Sequence, residues 1–299
     1  MIKKYASYLG VLVLISFSFF YTDKAVDIVK RNDPIMKSIM SNKDNYEINA
    51  VSAIINSDEI IPGVNGLIVD INKSYSNMKK YNKYDDSMYV FEEIEPSVSL
   101  VKKYDKYIVG GNKEKKEVAL IFKIDDITYL NKINDILIDK NEVATFFIDG
   151  SLIDESNEEI LELANNKYEI ENLGYDGIYS IEKFNYTNNL ISAITKMDPK
   201  YCYVDYKNND VLELCSKYNM YTIKPSISIN VYPFLQVKQN LNNGLIIGFD
   251  VNSDTIKELP SIISYIKQKG YQLVTVNDLI NEKRIEEWYC LCYNEDNGG

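Results

Sequence analysis

The sequence predicts an α/β protein built on a largely parallel sheet, and three observations predict it. Val118–Phe122 is a short apolar run between charged residues, too short for a helix and suited to a strand covered on both faces. Leu130, Ile133, Ile136 and Leu137 then recur at helical spacing, and Val143–Ile148 repeats the apolar run, so residues 117–150 read as one βαβ unit. The same alternation returns several times before residue 282.

In chain order, Lys3 and Lys4 precede the uncharged run Tyr5–Tyr21, an export or anchoring signal. Residues 19–25 lack a small-residue cleavage pattern, so an uncleaved transmembrane anchor over 1–24 is the favoured reading and cleavage the alternative. Residues 25–116 read as a small α+β region. It begins with two short helices split at Asn32-Asp33-Pro34, then an extended stretch from Tyr46 to Ile61 and a turn from Ile61 to Gly66. A strand (67–70), a helix (74–81) and strands at 88–91 and 97–101 complete it. Gly110-Gly111-Asn112 and Lys113–Glu117 form the junction, read as a solvated link with a basic binding patch as the alternative.

From 117 to 282 the α/β rhythm continues. A helix over 157–166 turns Ile160, Leu161 and Ala164 inward, and strands follow at 168–171, 201–204, 221–224, 245–249 and 273–276. Helical patterns fall within 178–197 and over 255–269, the latter with Gly270 as C-cap, while 230–243 reads as a long irregular connection. Residues 283–299 form a tail.

Four segments resemble the polysaccharide deacetylase family, the NodB-homology fold of carbohydrate esterase family 4. VALIF at 118–122 stands where the family has V-A-L-T-F, and ATFF at 144–147 matches its second strand. DVLELCSKYNMYTI (210–223) fits a middle helix-to-strand unit, and PSIISYIKQKGYQLVTVNDLI (260–280) resembles the closing helix and strand. The resemblance implies a distorted (β/α) barrel over 117–282, held outside the cell membrane by the single-pass anchor. It also implies a family activity, removal of acetyl groups from glycans with a bound divalent metal.

The chain departs from the family at the motifs that carry this chemistry. The family's T-F-D-D-G supplies a base and a metal ligand, where this chain has Lys123 and Ile124. The positions of the two histidine ligands are nearest Leu173 and Gly177. Residues 202–206 align with R-P-P-Y-G without the Arg, and Gly248-Phe249-Asp250 with L-x-H without the acid His. The whole chain contains no histidine. A metal hydrolase needs its ion to lower the pKa of bound water from about 15.7 to about 7, and the usual imidazole ligands are missing. An ammonium about 4 Å from such an ion would add about 4 kcal/mol of repulsion per unit charge at an effective dielectric of about 20. No metal and no cofactor are expected.

Carboxylates nonetheless cluster after the C-terminal ends of strands, where a barrel places its active site: Asp125, Asp126, Asp149, Asp205 and Asp250. Asp125, Asp126 and Asp250 are the candidate catalytic groups, the first two as a slipped version of the family's pair, and Asp205 with Tyr206 the candidate substrate contacts. The competing reading is that they cap helices and shape loops. The net charge of −11 argues against nucleic acid and against an anionic membrane surface as partner. Twenty-five tyrosines reflect compositional bias or a sugar-stacking face. Cys202 and Cys215 read as core cysteines, and Cys290-x-Cys292 is too tight for a zinc site. The expectation is therefore a membrane-anchored, deacetylase-like protein without metal-dependent activity that binds cell-wall glycan or acts as a scaffold. A divergent hydrolase working through carboxylates is the alternative.

Overall fold

A computed structural model describes residues 28–284. The anchor expected over 1–24, and Cys290 and Cys292, lie outside the described residues. Among those described, no helix is long and apolar enough to cross a membrane.

The first elements are helix α1 (Pro34–Asn42) and strands β1 (Ile54–Asn56), β2 (Glu59–Ile61) and β3 (Gly66–Val69), followed by α2 (Ile71–Lys80), β4 (Phe91–Ile94) and β5 (Tyr107–Ile108). The first βαβ unit is β6 (Glu117–Ile124), α3 (Leu130–Lys140) and β7 (Thr145–Ile148). Then come α4 (Gly150–Glu155), α5 (Asn157–Asn165), β8 (Glu169–Asn172), α6 (Ile181–Thr195), β9 (Tyr201–Tyr203), α7 (Asn209–Lys217) and β10 (Tyr221–Ile223). The chain closes with β11 (Ile227–Ile229), α8 (Pro233–Asn240), β12 (Leu245–Asp250), α9 (Ser253–Gln268), β13 (Gln272–Val274) and α10 (Val276–Leu279).

These elements form two compact units. The smaller draws on residues up to Ala50, on Asn65–Ile94 and on Arg284. In it, Asp33 caps α1 by accepting from the Ile35 N–H and Asp70 caps α2 by accepting from Lys73 N–H. Ile35, Ile39, Val69, Met78 and Tyr89 bury the faces these caps orient. Strands β3 and β4 pair antiparallel beside them. The strand expected at 88–91 starts only at Phe91, because Asp85 accepts from Ser87 N–H and winds Asp86–Met88 into a 3-10 turn.

The larger unit comprises Val51–Val64 and Glu95–Lys283, so the region expected over 25–116 is divided between the two. Its sheet has eleven strands in the path β1-β2-β5-β10-β9-β8-β7-β6-β12-β11, with β13 also on β6. Every pairing is parallel except β1 with β2. The path ends at β1 and β11 without closing, which makes the barrel an open, curled sheet. Strand β6 sits at its centre. Its first half pairs with β13, its second half with β7, and its other edge with β12.

Three expected elements differ. Residues 97–101 form no strand, because their backbone groups are taken elsewhere: Val98 O accepts from Ala53 N–H and Leu100 N–H donates to Glu282 Oε1. The stretch 230–243 is not irregular throughout, since Pro233 presets the first turn of α8 and Glu258 accepts from Phe234 N–H. In α5 it is Leu163, not Leu161, that turns inward; Leu161 is 43% exposed and Leu163 1%. Cys202 and Cys215 are buried, as expected, and joined in a disulfide that spacing alone cannot reveal.

Strand alternation sorts the core into two layers. Val118, Leu120 and Phe122 face outward to the helices with Phe146 and Phe249, whereas Ala119 and Ile121 face inward with Phe147, Tyr203 and Ile246. Lys123 continues the inward row at its C-terminal end.

Candidate functional site

The site lies at the mouth of the barrel, beyond the C-terminal ends of the parallel strands. The parallel register sets Lys123 beside Asp250, the last residue of β12, and Asp205 follows the end of β9. The Lys123 Nζ lies 2.6 Å from Asp250 Oδ1 and 3.2 Å from Asp205 Oδ2, with a fifth of its side chain exposed. Burial works against the ammonium. The hydrogen bond to Asp250, with the negative fields of Asp205 and Asp250, outweighs that cost and holds its pKa above the ordinary lysine value. The Tyr203 hydroxyl donates to the other oxygen of Asp205 at 2.8 Å. Gly248 gives that ring its room, since a Cβ there would sit 2.9 Å from the hydroxyl and 2.8 Å from Pro225 Cγ.

A third carboxylate closes the neighbouring loop. Asp149, 4% exposed, accepts from the Ser151 N–H and hydroxyl and from the N–H groups of Asp176 and Gly177, all within 2.9 Å. Burial alone would raise its pKa, but these donors hold it below the usual carboxylate range. The Tyr179 hydroxyl donates to Asn172 O and accepts from Tyr203 N–H, tying β8 to β9 at the base of the same loop. Leu173 and Gly177 are thus carried on a segment whose polar groups are spent on its own shape.

The structure brings Asp205 and Asp250 together and leaves the other candidates apart from them. Asp126 is exposed and accepts from the Thr128 N–H, capping a 3-10 turn at Ile127–Tyr129. Asp125 is exposed in the same loop, and the partners of Lys123 are Asp205 and Asp250, not these two aspartates. Tyr206, 83% exposed, projects beside Asp205. Sequence reasoning treated Lys123 only as an obstacle to a metal and missed it as the hub. Parity sets it on one face with Ala119 and Ile121, and the structure makes that face the inward one.

A divalent metal does not fit these residues. Among the described residues no three His, Cys, Asp or Glu side chains stand close enough to share an ion. The two aspartates at the mouth already have a cation between them, and it is the chain's own ammonium.

At the opposite end of the barrel two glutamates of β8 face inward. Glu171 accepts from Lys200 and Tyr201 N–H groups, and Glu169 from the Thr145 hydroxyl and Asn277 N–H. Burial raises the Glu169 pKa to about 6; burial and then the charge of Glu169 push Glu171 well above the carboxylate range.

No family model matches the sequence. The uncharacterized protein YlxY of Bacillus subtilis (strain 168) is 28% identical over 283 residues, covering 87% of this chain and 88% of that protein. BA3943 of Bacillus anthracis, a CE4 family pseudoenzyme, is similar in structure with a TM-score of 0.66 and 26% identity over 84% of this chain and 96% of that one. A BA3943 mutant with restored enzymatic activity matches with the same score and identity, over 84% of this chain and 99% of that one. The Bc1960 peptidoglycan N-acetylglucosamine deacetylase shares the fold at 22% identity and a TM-score of 0.53, over 60% of this chain and 95% of that one. The chain therefore has the fold of the carbohydrate esterase family 4 polysaccharide deacetylases, and its structural neighbours include a pseudoenzyme of that family.

Proposed function

We propose that this chain is a non-hydrolytic member of the deacetylase fold that holds a cell-wall glycan at its barrel mouth, on the outer side of the cell membrane. The observation that carries the reading is the Lys123 ammonium fixed between Asp205 and Asp250. An ammonium supplies positive charge but no coordination site at which water could be bound and ionised, so the step a metal hydrolase depends on has no agent. Neither paired aspartate is placed to serve as a general base, because each carboxylate is engaged with the ammonium.

What remains suits binding. The exposed Tyr206 ring offers a stacking face next to charged groups able to hydrogen-bond sugar hydroxyls. The buried Cys202–Cys215 disulfide supports placement in an oxidising compartment. The experiment measures acetate release from N-acetylated chitin oligomers and peptidoglycan with and without added Zn, Co or Mg, alongside sedimentation with insoluble wall polymer. The expected result is co-sedimentation without acetate. Metal-stimulated release would overturn the reading, release lost in Asp125→Asn or Asp126→Asn would favour a carboxylate hydrolase, and failure to co-sediment would leave a protein scaffold.

A further inference from the structure

The end of the barrel opposite the mouth carries a second concavity. Tyr271, partly exposed just before β13, lines two hollows of about 480 and about 450 Å³, each within the size of small-ligand sites, about 300–1,000 Å³. Asn141 and Gln272 line the first, and Asn242, Asn243 and Lys113 the second. Lys116 reaches over the Tyr271 ring, its Nζ 5.5 Å from the centroid. It gets there across Gly270, where a Cβ would stand 2.9 Å from that nitrogen on a backbone at φ +76°. The lysine in the first hollow, Lys267, is neutralised by Glu142. Among the described residues neither Lys113 nor Lys116 has a recorded carboxylate partner, although the chain carries a net charge of −11.

We propose that this floor groove binds an anionic saccharide. Its sugar ring would stack on Tyr271, its carboxylate or phosphate would lie between Lys113 and Lys116, and its hydroxyls would meet the amide side chains on either side. Two ammoniums lacking counter-charge beside a flat ring and several amides match that chemistry better than they match an apolar or cationic ligand. The groove is independent of the mouth, from which the eight residues of β6 separate it by roughly 25 Å.

Isothermal titration of the full-length protein tests this with three probes: N-acetylglucosaminyl-N-acetylmuramic acid, glucose 6-phosphate, and neutral di-N-acetylchitobiose. At least one anionic probe should bind, more weakly as salt rises, and the affinity should fall at least tenfold in Lys113→Ala/Lys116→Ala and in Tyr271→Ala. The anion that binds identifies the charged group. Absence of binding by both anions, anion affinity indifferent to the double lysine substitution, or binding of the neutral disaccharide that falls equally with that substitution would each overturn the proposal. Because both lysines are exposed, the double variant stays informative even if Tyr271→Ala unfolds.

Discussion

Lys123 concentrates on one nitrogen the positive charge that would otherwise have to come from outside the chain. Removing it leaves Asp205 and Asp250 facing each other with no cation between them, in a mouth that water only partly reaches. Lys123→Ala should cost about 1–2 kcal/mol in urea denaturation, less than a fully buried pair would because the Asp250 side chain is 41% exposed. Asp149 is more enclosed and serves four donors, so Asp149→Asn should cost about 1–3 kcal/mol. It should also speed amide exchange at Asp176 and Gly177 ahead of the rest of the loop. The barrel-floor glutamates give the opposite pH response to Asp149. A carboxyl whose folded pKa is raised from 4.5 to about 6 contributes stability that is whole below 4.5 and lost as pH rises through 6. Glu169→Gln should therefore gain stability relative to the native chain as pH goes from 4.5 to 7 and show no such gain below 4.5, read from urea midpoints across that range.

The strand that delivers Asp205 is held by its neighbours as much as by its own pairing. Strand β9 is three residues long, and Cys202 at its centre is bonded to Cys215 on α7, thirteen residues on. Cross-linking a loop of that length stabilises by about 3 kcal/mol, chiefly by restricting the unfolded chain. Thermal melts with and without dithiothreitol should differ in that sense, the reduced protein melting lower, and Cys202→Ala/Cys215→Ala should be insensitive to the reductant. Short elements were also the hardest to foresee. The six residues of α4 and the three of β11 are too few to display a period. By contrast α9, sixteen residues long, presents Leu259, Ile262, Ile263 and Ile266 on one buried face and reads directly from spacing.

At the scale of the molecule the parallel sheet recruits strands that precede the first βαβ unit. Tyr107 and Ile108 of β5 are fully buried against β10, and β2 pairs with β5 in turn. A chain starting at residue 117 would strip that edge, and it should show no cooperative melt by circular dichroism while a chain starting at residue 25 retains one. This dependence was hidden in the sequence because a two-residue strand has no pattern, and its membership in the sheet rests on hydrogen bonds to residues more than a hundred positions away. The composition was enough to remove imidazole chemistry, since no folding can supply a side chain the chain does not encode. The apolar runs likewise sufficed for a parallel α/β class, because period and burial are local properties of a strand, but with both faces of β6 apolar the inward aim of Lys123 came only from the structure. Which carboxylates meet that lysine belonged to tertiary structure alone. Asp205 lies 82 residues from Lys123, and only the order of strands and their register turns that separation into a contact of 3.2 Å.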